Sequence, residues 1–198
     1  MRGAKANVSN VVAMEEQLRA IQLAELRAER ASMELDEETQ SWRNFPLWKS
    51  WLDQQKRVML RQNAFVLTGP SKMGKSQFLF HTLLSDARDN VLLVNCMNVL
   101  DPDLREFALG RRTAIIFDEG GPEMIQRHRD LFQAPRRDIK LAHSATGCYC
   151  YSVNLWRVKL VVTCNRCYEQ LEKLARADRQ WVEANAVALE VTQPMWEQ

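Results

Sequence analysis

The sequence predicts an α/β domain, a mostly parallel central sheet between two layers of helices. Two observations predict it. Short apolar runs alternate with segments of helical period from Phe65 onward, and strands that apolar have to be covered on both faces. Gly69 to Ser76 then spells G-x-x-x-x-G-K-S directly after one such run and directly before a helical segment. Strand, glycine loop and helix in that order are the context a phosphate-binding loop requires.

Composition sets few limits but useful ones. A chain of 198 residues suits one domain with a substantial core and an appendage. Its net charge of +2 is too small to argue for nucleic acid. Five cysteines, an odd number, and an opening stretch without an apolar run fit a reducing interior. No apolar run is long enough to cross a membrane. The expectation is a soluble intracellular protein, of nucleus or cytoplasm, with no membrane partner.

Taken in order, residues 1–60 form the expected N-terminal helical extension. Val11, Met14, Leu18 and Ile21 recur at three- and four-residue steps after a Ser9 cap, and the pattern lapses at Glu25 and Ala28. A solvated helix on its own domain and a short coiled coil both remain open; a protein partner would be met here. After an acidic junction at Asp36 to Gln40, Pro46 opens a helix with Trp48, Trp51 and Leu52 on one side. Tryptophans at this spacing are expected to pack on the sheet rather than stack on bases.

Residues 61–198 form the expected α/β domain. Phe65 to Thr68, Val91 to Cys96, Thr113 to Glu119, Lys159 to Asn165 and Val187 to Thr192 read as strands. Helices are expected at Gln77 to Leu84, Glu123 to Phe132 and Tyr168 to Ala175. A loop with a short helix ending at Gly110 should join the second and third strands.

The chemistry lies at three strand ends. In the loop formed by Gly69, Pro70, Ser71, Lys72, Met73, Gly74, Lys75 and Ser76, backbone N–H groups face a bound phosphate at a helix start. Lys75 supplies a full positive charge there, and the Ser76 hydroxyl can hold Mg2+. Asp118 ends an apolar strand, where open α/β sheets bind ligands, and is a second candidate for Mg2+. Glu119 is placed to polarise an attacking water. Asn165 ends "LVVTCN" and can orient that water or contact the γ-phosphate, although Asn also caps helices.

Together, "GPSKMGKS", "IIFDE" and the Asn-terminated "VVTCN" resemble the Walker A, Walker B and sensor motifs of the superfamily-3 helicase domain, a P-loop NTPase. The likeness is greatest to the replication-associated proteins of circular single-stranded DNA viruses and their cellular relatives, and spans Arg61 to Val191. The resemblance implies an AAA+-like fold and an active homo-oligomeric ring with ATP between subunits. It also implies a catalytic set of Lys75, Asp118, Glu119 and Asn165. An arginine finger is expected after the sensor strand, with Arg166, Arg176 and Arg179 as candidates. Single-stranded nucleic acid, DNA rather than RNA, is the implied partner.

Two departures qualify the likeness. The family's Lys-Gly pore hairpin is missing; here Arg136, Arg137, Lys140 and His143 give the region basic character, with Tyr149 and Tyr151 as stacking candidates. An ordinary charged β-hairpin is the alternative. No histidine or tyrosine precedes Arg61, so the family's nicking endonuclease is not expected. Cys148, Cys150, Cys164 and Cys167 could be read as zinc ligands, but the placement of Cys148, Cys150 and Cys164 in expected strands suits buried thiols better. The expected function is ATP hydrolysis coupled to single-stranded nucleic acid. The alternatives are a nucleotide-stabilised scaffold with little turnover and, more remotely, a small-molecule kinase.

Overall fold

The computed structural model describes residues 41–57, 59–84, 90–107, 112–142 and 150–197. The amphipathic segment from Ser9 to Leu35, His143, Cys148 and Tyr149 lie outside them. Ser41 to Gln198 forms one compact unit.

Its centre is a five-stranded sheet of β1 (Ala64–Thr68), β2 (Val91–Asn95), β3 (Ala114–Asp118), β6 (Lys159–Cys164) and β7 (Ala186–Glu190), in the order β2-β3-β6-β1-β7. Every neighbouring pair is parallel. All five expected strands are present, and the α/β class is as the sequence predicts. The order matters more than the count. β6 lies between β1 and β3, with Val161 in register with both Phe65 and Ile116. The end of β6 therefore stands between the glycine loop that leaves β1 and the acidic end of β3.

Alternate residues of each strand face opposite layers, as the two-residue period of a strand requires. Val66, Ile115, Phe117, Leu160 and Val162 point to one side. There they meet Met124 and Ile125 of α3 (Pro122–Arg127), Leu131 and Phe132 of α4 (Arg129–Phe132), Leu171 of α5 (Cys167–Lys173) and Val182 of α6 (Arg176–Asn185). Phe65, Leu67, Ile116 and Val161 point to the other side. They meet α1 (Pro46–Gln55) and α2 (Lys75–Leu84) through Trp48, Trp51, Phe78, Leu79 and Leu83. The tryptophans are core: Trp48 stacks on Trp51 at 5.2 Å and meets Phe65 edge-on at 4.9 Å. Trp51 Nε1 donates to the Asn63 carbonyl at 2.9 Å, so its polar edge is satisfied inside the core.

Several details differ from expectation. The helix from Glu123 to Phe132 breaks at His128, whose φ of −109° and ψ of 47° are not helical. Between β2 and β3 the described residues 96–107 form turns, and the end of the expected short helix at Gly110 lies outside the described residues. Helix α6 was not expected. Its sequence, RADRQWVEAN, offers only Trp181 and Val182 as large apolar residues, too few for a periodic signal. The basic region forms an antiparallel hairpin of β4 (Ile139–Ala142) and β5 (Cys150–Val153).

The ends of the unit meet. Trp42 pairs with Trp196 in an antiparallel bridge, with Arg43 N donating to Met195 O at 2.8 Å and Glu197 N to Ser41 O at 2.8 Å. Met195 N in turn donates to Met73 O, inside the glycine loop, at 3.0 Å. The two ends of this unit form a clasp that bears on the loop.

Candidate nucleotide site

The loop takes its shape from two glycines. Gly69 has φ +147° and Gly74 φ +78°, in the half of backbone space that side chains avoid. Space forbids a side chain as well. A Cβ on Gly74 would lie 2.7 Å from the Trp196 ring, and one on Gly69 would strike the Val191 carbonyl. Gly69 N donates to Cys164 O at 3.1 Å, which ties the start of the loop to the end of β6. α2 begins at Lys75, so the helix N-terminus and its partial positive charge sit at the loop's end.

Lys75 is 7% exposed, and all three of its ammonium protons have acceptors. They go to Gly69 O, Pro70 O and Asn165 Oδ1, each at 2.8 Å. Burial pushes its pKa below the ordinary lysine value, opposed chiefly by the negative charge of Glu119. The next residue serves the other wall: Ser76 Oγ donates to Asp118 Oδ1 at 2.8 Å.

The ends of β3 and β6 complete the network. Asn165 Nδ2 donates to Glu119 Oε1 at 2.8 Å and Oε2 at 2.6 Å. One amide thus accepts from the loop lysine and donates to the candidate base. Thr163, two residues earlier on the same face of β6, donates to Asp118 Oδ1 at 2.6 Å and accepts from Glu119 N at 3.0 Å. Glu119 turns into the left-handed region, φ +57°, at the point where β3 ends. The sequence reading missed Thr163. Its signal was a hydroxyl two positions before Asn165 in an otherwise apolar strand, where the strand period sends both side chains to one face.

The result is a cleft of about 240 Å³ lined by Ser71 to Gln77, Asp118, Glu119, Thr163 and Asn165. Four residues expected to act together, Lys75, Asp118, Glu119 and Asn165, are joined there by hydrogen bonds, with Ser76 among them. The donor set suits Mg2+, which takes oxygen ligands and retains waters: Ser76 and Asp118 offer a hydroxyl and a carboxylate in direct contact.

The other candidates are dispersed. Arg166 occupies the N-cap position of α5 beside Asn165, without a side-chain capping bond, and lies 3.9 Å from Glu169 in an exposed pair. Arg176 is exposed at the start of α6, and Arg179 lines a separate cleft with Glu172 and Glu183. None of the three lines the phosphate cleft, although a finger acting on a neighbouring subunit need not do so. Arg137 and Lys140 line a 760 Å³ cleft that also holds Arg127 and Arg129, whereas Arg136 lies over the Trp156 ring at 5.7 Å. Tyr151 donates to Asp103 at 3.4 Å and accepts from Leu104 N at 2.8 Å, so its hydroxyl serves the fold. Cys164 and Cys167 are free and buried. Their mutual hydrogen bond lowers the Cys164 pKa and raises that of Cys167.

No family model matches the chain, and no curated protein does. Among solved structures it is similar to NtrX from Brucella abortus in complex with ADP, with 15% identity and a TM-score of 0.44. That likeness covers 92% of this chain and 45% of the other, so this chain spans less than half of NtrX's length. The chain's own strand order and glycine loop describe an α/β fold with a parallel five-stranded sheet.

Proposed function

We propose that the protein binds ATP with Mg2+ and hydrolyses it, as a superfamily-3-type helicase or translocase acting on single-stranded DNA. One observation carries the hydrolytic part. The Asn165 amide links Lys75 to Glu119 in the same cleft where Ser76 and Asp118 meet. A residue that neutralises phosphate charge and one that activates water are thus coupled through a single side chain.

In this reading the loop amides and Lys75 hold the β- and γ-phosphates. Lys75 first gives up the Gly69 and Pro70 carbonyls, exchanging neutral acceptors for charged ones. Ser76 and Asp118 hold Mg2+, which when bound screens the phosphate charge. Glu119 accepts the proton of the attacking water, with Asn165 fixing its carboxylate. The action on DNA rests on the order of the motifs and on the cleft that holds Arg127, Arg129, Arg137 and Lys140 against Asp130 and Asp138. Assembly into a ring, with one of Arg166, Arg176 or Arg179 reaching the neighbouring site, belongs to the same proposal.

The test is phosphate release from ATP with and without single-stranded DNA. Release that DNA stimulates supports the whole reading. Release indifferent to DNA overturns the translocase and leaves an ATPase. Binding without release leaves a nucleotide-stabilised scaffold.

A further inference from the structure

We propose that Thr163 is a positioning residue that sets the Asp118–Glu119 pair for divalent-cation binding and water activation. The inference deepens the nucleotide-site reading above and rests on it. Three observations carry it. Thr163 is 1% exposed, so its hydroxyl has no bulk water to fall back on and must find partners within the protein. It has two: Glu119 N, which donates to it at 3.0 Å, and Asp118 Oδ1, to which it donates at 2.6 Å. Finally, Glu119 is left-handed at φ +57°, a conformation that is strained for a non-glycine residue and persists where neighbours hold it.

The directions of these bonds follow from valence. The Glu119 N–H can only donate, so the Thr163 oxygen accepts there and its single proton goes to Asp118. Asp118 Oδ1 also accepts from Ser76 Oγ at 2.8 Å. With two donors on Oδ1, the carboxylate is held in one orientation, leaving Oδ2 outside this pair of bonds and available to a cation or its waters. The Ser76 proton is spent on the same oxygen, which leaves the Ser76 lone pairs for that cation. One hydroxyl thereby fixes the metal-facing carboxylate through its side chain and the water-activating one through its backbone.

Thr163→Val removes the hydroxyl at nearly constant volume, leaves the Glu119 N–H unpaired and takes a donor from Asp118. Losing a hydrogen bond to a charged group corresponds to roughly a ten- to hundredfold change. The measurements are Mg2+-dependent binding of a non-hydrolysable ATP analogue and, separately, kcat and KM for ATP. Thr163→Val is expected to raise the half-saturating Mg2+ concentration about tenfold and lower kcat by about ten- to hundredfold. Binding of the analogue without Mg2+ should stay within twofold of wild type, and Thr163→Ser should restore both quantities.

Should the valine variant fail to fold, Thr163→Ala, which leaves space where the hydroxyl stood, is expected to fall between valine and wild type. Mg2+ half-saturation and kcat within twofold of wild type in the folded variant would overturn the proposal. So would a serine variant as impaired as the valine. If wild type binds the Mg2+-analogue complex but releases no phosphate, hydrolysis fails as a reading while the Mg2+ measurement still decides on Thr163.

Discussion

The strand-end cleft and the β4–β5 hairpin were both expected to carry function, and the structure treats them differently. In the cleft, side chains far apart in sequence meet: Lys75 reaches Asn165, and Ser76 and Thr163 reach Asp118. On and around the hairpin the basic residues mostly have partners of their own. Arg137 pairs with Asp130 at 2.7 Å, Arg129 with Asp178, and Arg127 with Asp101 at 2.8 Å, while Arg136 covers Trp156. A parallel sheet brings its strand ends to one edge whatever else the chain does, so polar residues at those ends are concentrated by topology. A hairpin makes no such demand, and its charges settle against whatever carboxylates lie near.

That contrast can be broken from either side. The largest effect is expected from Lys75→Ala, which removes the charge at the loop; ATP affinity should fall at least about a hundredfold by fluorescence or calorimetric titration, given the strength of charge-assisted bonds. Unchanged affinity would mean the cleft does not hold phosphate. Gly74→Ala comes next. It forces a side chain into φ +78° and against Trp196, and should cost about 1–3 kcal/mol in urea unfolding. It should also weaken ATP binding, because the clasp at Met195 holds the neighbouring Met73.

On the hairpin side, the double substitution Arg137→Ala with Lys140→Ala should leave basal phosphate release unchanged. It should weaken single-stranded DNA binding several-fold and flatten its salt dependence by about one unit for each DNA phosphate no longer neutralised. DNA binding that ignores this pair would move the nucleic-acid surface elsewhere. The smallest effect is expected from Arg136→Ala, where removing the guanidinium from the Trp156 ring should cost about 0.5–1 kcal/mol of stability.

What the sequence made legible follows the same division. The phosphate loop and the acidic end of β3 were readable because each is a local signal, a motif or a polar residue closing an apolar run. Asn165 was readable for that reason too. Thr163 was not singled out, since a lone threonine in a strand carries the ordinary preference of a β-branched residue, and only the insertion of β6 between β1 and β3 gives it partners. The packing role of Trp48 and Trp51 could be inferred from spacing. The clasp could not, because Ser41 and Glu197 are separated by 156 positions and no local pattern joins them. Helix α6 escaped for want of apolar residues, and the break at His128 because nothing in "EMIQRHRDLF" marks it.

The most direct test of the central claim, that Glu119 activates water in a functioning ATP site, is single-turnover phosphate release by wild type and Glu119→Gln, each with ATP binding measured in parallel. The substitution keeps the shape of the side chain and removes its basicity. The account predicts binding within a few-fold of wild type and release slower by about 10²- to 10⁴-fold. Equal release by the two proteins, or tight binding with none from wild type, would contradict it.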